Sequence, residues 1–241
     1  MGRRQEFNIE DKSLWYLVGL IASDGCLSKD GRHIDITSSD YSFLSQLRDN
    51  LKLTNKVGTK YNSEKKQSFH IQISNRNFYD FLLTTGLTTN KSLVLGALKV
   101  PDQFFGDFLR GLIDGDGCLR RWRHASNKGE QWSLRIYSGS KEFIEWVRDK
   151  IESLFKAKGR IHQEAENCYS LKYGKMAARV IAKRCYYPGC LGLERKIQLA
   201  NRCLNSFKGW RKSKTICCLE NDCKRRDVGM ADNTDLKSVG A

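Results

Sequence analysis

Two kinds of apolar pattern alternate along the chain. Apolar residues at helical spacing predict amphipathic helices over residues 43–51 and 143–154. Strict alternation of apolar and polar residues over 68–73 and 168–173 predicts strands whose two faces differ in polarity. The turns between these segments are rich in Gly, Asp, Asn and Lys, as in β-hairpins. The pattern therefore predicts a mixed α/β (α+β) fold in which helices cover the apolar faces of antiparallel sheets.

The second half of the chain repeats the first. The segment LVGLIASDG at 17–25 aligns with LRGLIDGDG at 109–117, an offset of 92 residues. Farther on, the segment that begins at Asp35 aligns with the segment that begins at Arg135, at an offset of 100 residues. The extra residues of the second half fall in one long basic hairpin, RRWRHASNKGEQW.

The repeat predicts the organisation of the domains. We expect two pseudo-symmetric αββαββα units, one over residues 1–97 and one over 98–213. Residues 214–241 lose all periodicity, and we expect them to form a disordered tail. We expect Ser13 to be the N-cap of the first helix, and Pro101 opens the second unit.

Each aligned motif is an apolar helix that ends in an acid. In the first motif Gly19 and Ser23 lie one turn apart on the same helix face, and the second motif has glycines at the equivalent positions. Small residues at this spacing let two helices approach closely, which would bring Asp24 and Asp116 together. Adjacent carboxylates repel one another unless a cation lies between them. Mg²⁺ prefers such oxygen ligands and leaves room for phosphate oxygens.

Other interpretations of the Asp-Gly-Asp-Gly sequence do not fit. A calcium-binding loop that starts at Asp114 requires Gly and Glu at positions occupied by Leu119 and Ala125. A dinucleotide-binding fingerprint requires Gly where the chain has Arg120. A surface turn after a core helix would explain one copy, but not two copies in register.

Both segments resemble the motif that names the LAGLIDADG homing endonucleases, in their single-chain form with two motifs. The resemblance covers residues from about 12 to 212, including the segment 86–117 that leads into the second motif. It implies a monomer whose sheets form a saddle over double-stranded DNA, with the motif helices at its centre. It also implies hydrolysis of both strands at a long asymmetric target, which leaves 3′ overhangs. The cofactor would be Mg²⁺ or Mn²⁺, with Ca²⁺ as a non-catalytic substitute, and such a protein would suit a mobile intron, although a free-standing gene stays open.

The resemblance assigns roles to particular residues. It implies that Asp24 and Asp116 are the metal-binding catalytic acids. It further implies two pairs of supporting groups: the carbonyls of Ser23 and Gly115 as additional metal ligands, and the basic residues Lys91 and Lys196 beside the scissile phosphate or its water.

The first motif departs from the family pattern. It has Ala22 and Ser23 where the family has Asp and Ala, whereas the second motif keeps Asp114. The family's essential acid is the later Asp, which both motifs retain, so the departure makes the two half-sites chemically unequal. Arg110 replaces the Ala of the family motif, and we expect it to face outward.

The polar faces of the strands are the candidate DNA-reading surface, because strand ribbons can enter the major groove. Any one such position could equally be a solvated strand residue. Counting in twos from each acid and along the outer strands selects Ser28, Asp30, Arg32, Asp35, Thr37, Tyr61, His70, Gln72, Arg120, Trp122, His124, Arg135, Tyr137, Arg160, His162, Ser170 and Lys172.

Charge and composition agree with a nucleic-acid partner. The chain has 42 Lys and Arg against 27 Asp and Glu, for a formal net charge of +15. A basic surface gains free energy when it displaces counterions from a polyanion. No apolar run approaches the roughly 20 residues of a membrane span, and the N-terminus does not resemble a signal peptide. The nine cysteines indicate reduced thiols in the cytoplasm or an organellar matrix, and their spacing disfavours zinc.

Two other functions remain open on the same fold. An intron RNA-splicing maturase would need the basic surface but not both acids. A catalytically inactive DNA-binding protein would explain the altered first motif. Retention of Asp24 and Asp116 favours the endonuclease over both.

Overall fold

The fold consists of two copies of one αββαββα unit, as the sequence repeat predicts. The structure is a computed structural model and describes residues 7–61, 63–126 and 128–206, so the predicted tail lies outside the described residues. The first unit contains α1 (Lys12–Ser23), β1 (Cys26–Leu27), β2 (His33–Ser38), α2 (Tyr41–Asn50), β3 (Val57–Tyr61), β4 (Gln67–Ser74), α3 (Arg76–Thr85) and the short α4 (Lys91–Val94).

The second unit begins with a single 3-10 turn at Asp102–Phe104, directly after Pro101. The elements that follow have the same order as those of the first unit, and a longer helix ends the described chain. They are α5 (Phe105–Asp116), β5 (Gly117–Arg123), β6 (Glu130–Ser138), α6 (Lys141–Phe155), β7 (Arg160–Ala165), β8 (Cys168–Tyr173), α7 (Lys175–Cys185) and α8 (Glu194–Asn205).

Each unit contains one four-stranded antiparallel sheet. The strand orders, β1-β2-β4-β3 and β5-β6-β8-β7, are the same when the units are aligned. In the first sheet Ile34, Ile36, Ile71 and Ile73 are buried, while the residues that alternate with them have the opposite orientation. The predicted alternation is therefore present, with one apolar face against the helices and one polar face.

The motif helices α1 and α5 form the most extensive contact between any two elements of the described chain. They touch backbone to backbone through two glycines. A Cβ on Gly19 would lie 1.9 Å from the Phe108 carbonyl oxygen, and one on Gly111 would lie 2.1 Å from the Tyr16 carbonyl oxygen. The small-residue spacing thus predicted the contact correctly, since only glycine permits this approach.

Helix α1 begins slightly earlier than predicted. Its N-cap is Asp11, whose side chain accepts a hydrogen bond from the Ser13 backbone N–H at 2.8 Å. Ser13 therefore lies inside the helix, and the prediction that it is the N-cap is wrong. Aspartate is as good an N-cap as serine, so sequence preference alone did not decide between them.

Arg110 is buried, so the prediction that it faces outward is wrong. Its side chain is only 1% exposed. The guanidinium donates to Asp107 Oδ1 at 2.8 Å and to the carbonyl oxygens of Cys185 and Leu191 at 2.8 and 2.7 Å. These partners compensate the cost of burying the charge and attach α5 to the end of α7 and to the segment that follows it.

None of the helices in the described ranges is both long enough and apolar enough to cross a membrane.

Candidate active site and nucleic-acid interface

The two acids meet at the C-terminal ends of the crossed motif helices. Asp24 is the C-cap of α1, and Asp116 is the last residue of α5. Because Gly19 and Gly111 fix the crossing point, the last turns of both helices converge. A Cβ on Gly115 would lie 2.0 Å from Ser23 Oγ and 3.1 Å from a carboxylate oxygen of Asp24. The structure thus places the two predicted acids next to one another.

Electrostatics at this point disfavour two free carboxylates. Burial raises the pKa of Asp116 above its ordinary value, and the negative charge of Asp24 raises it further. Burial also raises the pKa of Asp24, while Lys196 and Lys91 lower it. The ends of two helix dipoles add further negative potential here. The site therefore favours a positive charge between the acids.

Lys91 and Lys196 lie beneath the ends of the motif helices and are 8% and 6% exposed. Lys91 Nζ donates to the carbonyl oxygens of Ser23 and Gly25, and Lys196 Nζ donates to the carbonyl oxygens of residues 113, 114, 115 and 117. Burial lowers the pKa of Lys91, and it lowers the pKa of Lys196 to about 8. Lys91 is the first residue of the short helix α4, and Lys196 lies in the first turn of the longer helix α8.

The donor groups at the acids suit a hard divalent cation. Two carboxylates and neighbouring backbone carbonyls are typical Mg²⁺ ligands, with water or phosphate oxygens completing the shell. The carbonyl oxygens of Ser23 and Gly115 each accept a hydrogen bond from a lysine, but each has a second lone pair. Within the described ranges, no group of three or more His, Cys, Asp or Glu side chains could hold a metal ion. Cys217, Cys218 and Cys223 lie outside those ranges.

A cavity of ≈ 70 Å³ opens beside Asp116. Lys91, Ser92 and Ser138 line it together with Ala22 and other small groups. Its polar walls could retain water molecules next to the carboxylate.

The polar face of the first sheet carries most of the residues predicted for DNA contact. Asp35 lies opposite Gln72, and Thr37 lies opposite His70. The Asp35 carboxylate accepts from Lys60 Nζ and pairs with His70 Nδ1 at 2.8 Å. Burial raises the pKa of Asp35, but the hydrogen bonds from Lys60 and His70 lower it overall.

In the turn of the first hairpin, the predicted DNA-contact residue Asp30 makes hydrogen bonds within the turn. Asp30 accepts hydrogen bonds from the backbone N–H groups of Arg32 and His33, both at 3.1 Å, and contacts the His33 ring. The hydrogen bond from His33 lowers the pKa of Asp30 to about 2. Ser28 and Arg32 flank this turn, with Arg32 exposed.

The polar face of the second sheet is more basic. The register puts Arg120 and Trp122 of β5 on the same face as Arg135 and Tyr137 of β6. Trp122 is 41% exposed, and His124 follows β5 in the hairpin. The outer strands add Lys172, Arg160 and His162 to this face.

Two predicted residues do not fit the reading surface. The register pairs Val57 with Ile71, so Tyr61 shares the apolar-side orientation and Lys60 has the polar-side one. Ser170 has the polar-side orientation but is fully buried, and its hydroxyl donates to Glu164, which also pairs with Lys172.

Several residues on the polar faces were missed. Lys60, Gln131 and Ser133 are neighbours of predicted positions in the strand register. Cys26 and Cys118 are exposed and lie two residues after the acids. Counting in twos from each acid would have selected both cysteines.

Asp114 has a structural environment that the sequence did not indicate. It is 2% exposed and accepts hydrogen bonds from Tyr16, Tyr186 and the Leu193 backbone N–H, at 2.9, 2.7 and 2.8 Å. Burial raises its pKa, although these hydrogen bonds lower it. Asp114 therefore connects α5 to α1 of the first unit and to the segment between α7 and α8 of the second.

Comparison with known proteins identifies one domain of the chain by sequence. Residues 11–86 match the family described as LAGLIDADG-like domain. A search of curated proteins found no significant sequence match.

Solved structures share the fold at low sequence identity. Full-length DUF199/WhiA from Thermatoga maritima matches with a TM-score of 0.55 and 18% identity, over 84% of this chain and 63% of that protein. The chain therefore spans less than two thirds of that relative. The homing endonuclease I-WcaI bound to its DNA recognition sequence matches with a TM-score of 0.56 and 12% identity, over 76% and 86% of the two chains. Mesophilic variants of the homing endonuclease I-DmoI match with a TM-score of 0.54 and 17% identity, over 81% and 100%.

Proposed function

Since the chain carries a LAGLIDADG-like domain and has the two-unit fold of its structural neighbours, we propose that it is a site-specific, double-strand DNA endonuclease. The observation that carries the proposal is the pairing of Asp24 and Asp116 at the ends of two helices that cross backbone to backbone. A fold that served only to bind DNA would not need two mutually repelling acids at its centre. Both acids come from one chain, so the protein acts as a monomer.

Asp24 and Asp116 hold divalent cations, with the carbonyls of Ser23 and Gly115 as further ligands. I-DmoI, whose fold is similar, has been solved in complex with DNA and Ca and in complex with DNA and Mn. A bound divalent cation supplies Lewis-acid stabilisation of the charge that develops during phosphodiester hydrolysis. Lys91 and Lys196 lie near both acids and offset part of their repulsion.

The polar strand faces bind the DNA duplex and provide its recognition. Their side chains differ between the two units: Asp35, Thr37 and Gln72 in one correspond to Arg135, Tyr137 and Lys172 in the other. A surface composed this way reads an asymmetric target. I-WcaI and I-DmoI have each been solved bound to DNA, which supports a DNA duplex as the partner.

Sequencing of DNA ends tests the proposal. Purified protein is incubated with a randomised or genomic DNA pool and Mg²⁺, and all new ends are sequenced. We expect paired cuts with 3′ overhangs at one long motif. Asp116→Asn should lower the cleavage rate at least about 100-fold, because a metal ligand contributes no less than the groups that support it.

Asp80→Asn is the matched control, because Asp80 is an exposed carboxylate on α3 whose neighbour is Arg76. This variant should cut at the wild-type rate. Binding without cuts in Mg²⁺ or Mn²⁺ would contradict the nuclease and favour an inactive DNA-binding protein. Preferential binding of intron RNA would instead indicate a maturase.

A further inference from the structure

The two buried lysines make equivalent contacts in the two units. Lys91 Nζ donates to the carbonyl oxygens of Ser23 at 3.0 Å and Gly25 at 2.7 Å. Lys196 Nζ contacts the equivalent pair, Gly115 at 3.5 Å and Gly117 at 3.0 Å. The lysines themselves are 105 positions apart, whereas the carbonyls are 92 apart. The same contact therefore occurs in both units even though the spacing to the lysine differs.

Each lysine bonds to both sides of one acid. Ser23 and Gly25 flank Asp24, and the equivalent glycines flank Asp116. The last carbonyls of a helix have no partner within the helix, and a cation near them is favourable. The three N–H bonds of an ammonium group allow it to hold several carbonyls at once.

The two carbonyl partners of Lys91 use two of its three N–H bonds, and Lys196 has more acceptors than N–H bonds. Lys196 also donates to the carbonyl oxygens of Ile113 and Asp114, so four acceptors share its three N–H bonds. Within the described part of the chain, the hydrogen-bond partners of both ammonium groups are backbone carbonyls. A buried ammonium group is costly to release from such partners.

We propose that Lys91 and Lys196 are positioning residues that clamp the turns carrying Asp24 and Asp116, and that they act on the site through these turns. This inference rests on the proposed function, because it assigns the lysines a role at the same pair of acids. Each clamp is local: Lys91 fixes the end of α1, and Lys196 fixes the end of α5.

Amide hydrogen exchange, measured by NMR on the full chain without metal or DNA, tests the clamps separately from catalysis. Asp24 N–H bonds to Leu20 at 3.0 Å, and Gly25 N–H bonds to Leu20 at 3.2 Å. Lys91→Met keeps the length of the side chain but removes its charge and donors. We expect these two amides to exchange at least about tenfold faster in this variant, while the Gly117 amide is unchanged.

Lys196→Met should give the reciprocal result, with faster exchange at Gly117 and unchanged exchange at Asp24 and Gly25. Lys183→Met, at an exposed position on α7, is the matched control and should change neither turn. Arg in place of either lysine keeps the charge and donors, so it should restore part of the protection. It also provides a second variant where the methionine protein does not fold.

Unchanged exchange at both turns would overturn the clamp, as would uniform acceleration across the chain. These outcomes are distinct from a failure of the proposed function. Reciprocal exchange effects in a protein that cuts no DNA would support the clamp and contradict the nuclease. Efficient cleavage with no exchange effect would support the nuclease and contradict the clamp.

Discussion

Asp114 and Asp116 stand two residues apart on α5 but have different surroundings. Asp114 is enclosed by hydrogen-bond donors from Tyr16, Tyr186 and Leu193. Asp116 retains access to solvent and lies close to Asp24. At the scale of single residues, the two acids of one motif therefore divide into a core group and a site group.

Replacement of Asp114 by Ala should destabilise the fold. It would leave three buried donors without an acceptor and open a small cavity, although Ala occupies the equivalent position 22. We expect a loss of about 2–4 kcal/mol in the free energy of unfolding, measured by urea denaturation without metal. A loss below about 0.5 kcal/mol would show that the network contributes little.

Asp116→Asn serves as the comparison. At neutral pH it should increase the free energy of unfolding, whereas Asp114→Ala decreases it. Burial and Asp24 raise the folded-state pKa of Asp116, so ionisation of this group disfavours folding. Below the ordinary carboxyl pKa, both side chains are neutral and the difference should vanish. The gain should develop as the pH rises from the ordinary carboxyl pKa through the raised pKa of the folded state, and it should be complete above that value.

The sequence located the acids but not all of their neighbours. Asp24 and Asp116 could be predicted because both belong to a repeated motif. Arg110 could not be placed, since its partners Cys185 and Leu191 are 75 and 81 residues away and contribute only backbone carbonyls. Tyr61 was assigned to the wrong face because a short strand leaves its alternation ambiguous.

At the scale of elements, the crossing of α1 and α5 decides where the site forms. Both helices are buried over most of their length, as expected of central helices. Their spacing is set by Gly19 and Gly111, and the small-residue pattern allowed this contact to be predicted. The short helix α4 was not predicted, because four residues give no readable periodicity.

Gly19→Ala should force the motif helices apart. The added methyl group would lie 1.9 Å from the Phe108 carbonyl oxygen, a backbone atom that cannot move alone. We expect a loss of about 3 kcal/mol in the free energy of unfolding, measured by urea denaturation. Gly174→Ala is the matched control, because its methyl group would meet no atom within 4 Å. Equal stability of the two variants would contradict backbone contact between the helices.

At the scale of the whole molecule, the polar faces of both sheets and the excess of basic residues favour one type of partner. The formal net charge is +15, and the second sheet contributes Arg120, Arg135, Arg160 and Lys172 to one face. The fold as a whole was predictable because duplication repeats each weak local signal. The burial of individual residues on the polar faces could not be predicted, as the fully buried Ser170 shows.

Binding to duplex DNA should weaken steeply as salt increases. The logarithm of the affinity should fall linearly with the logarithm of salt concentration, by about 0.9 for each phosphate contacted. Arg120→Gln should reduce the magnitude of this slope by about 1, as measured by fluorescence anisotropy with a target duplex. Arg76→Gln, on α3, is the control and should leave the slope unchanged. Identical slopes for wild type and Arg120→Gln would show that Arg120 contacts no phosphate.

The hydrogen bond from Tyr16 to Asp114 also determines which halves can combine. The positions equivalent to Tyr16 and Asp114 at the offset of 92 are Phe108 and Ala22, so this bond has no mirror image. Two copies of the second half would offer Asp114 a phenyl ring in place of a hydroxyl donor. Two copies of the first half would set the Tyr16 hydroxyl against alanine. If the halves were separated into independent polypeptides, each would therefore prefer the unlike half over a second copy of itself.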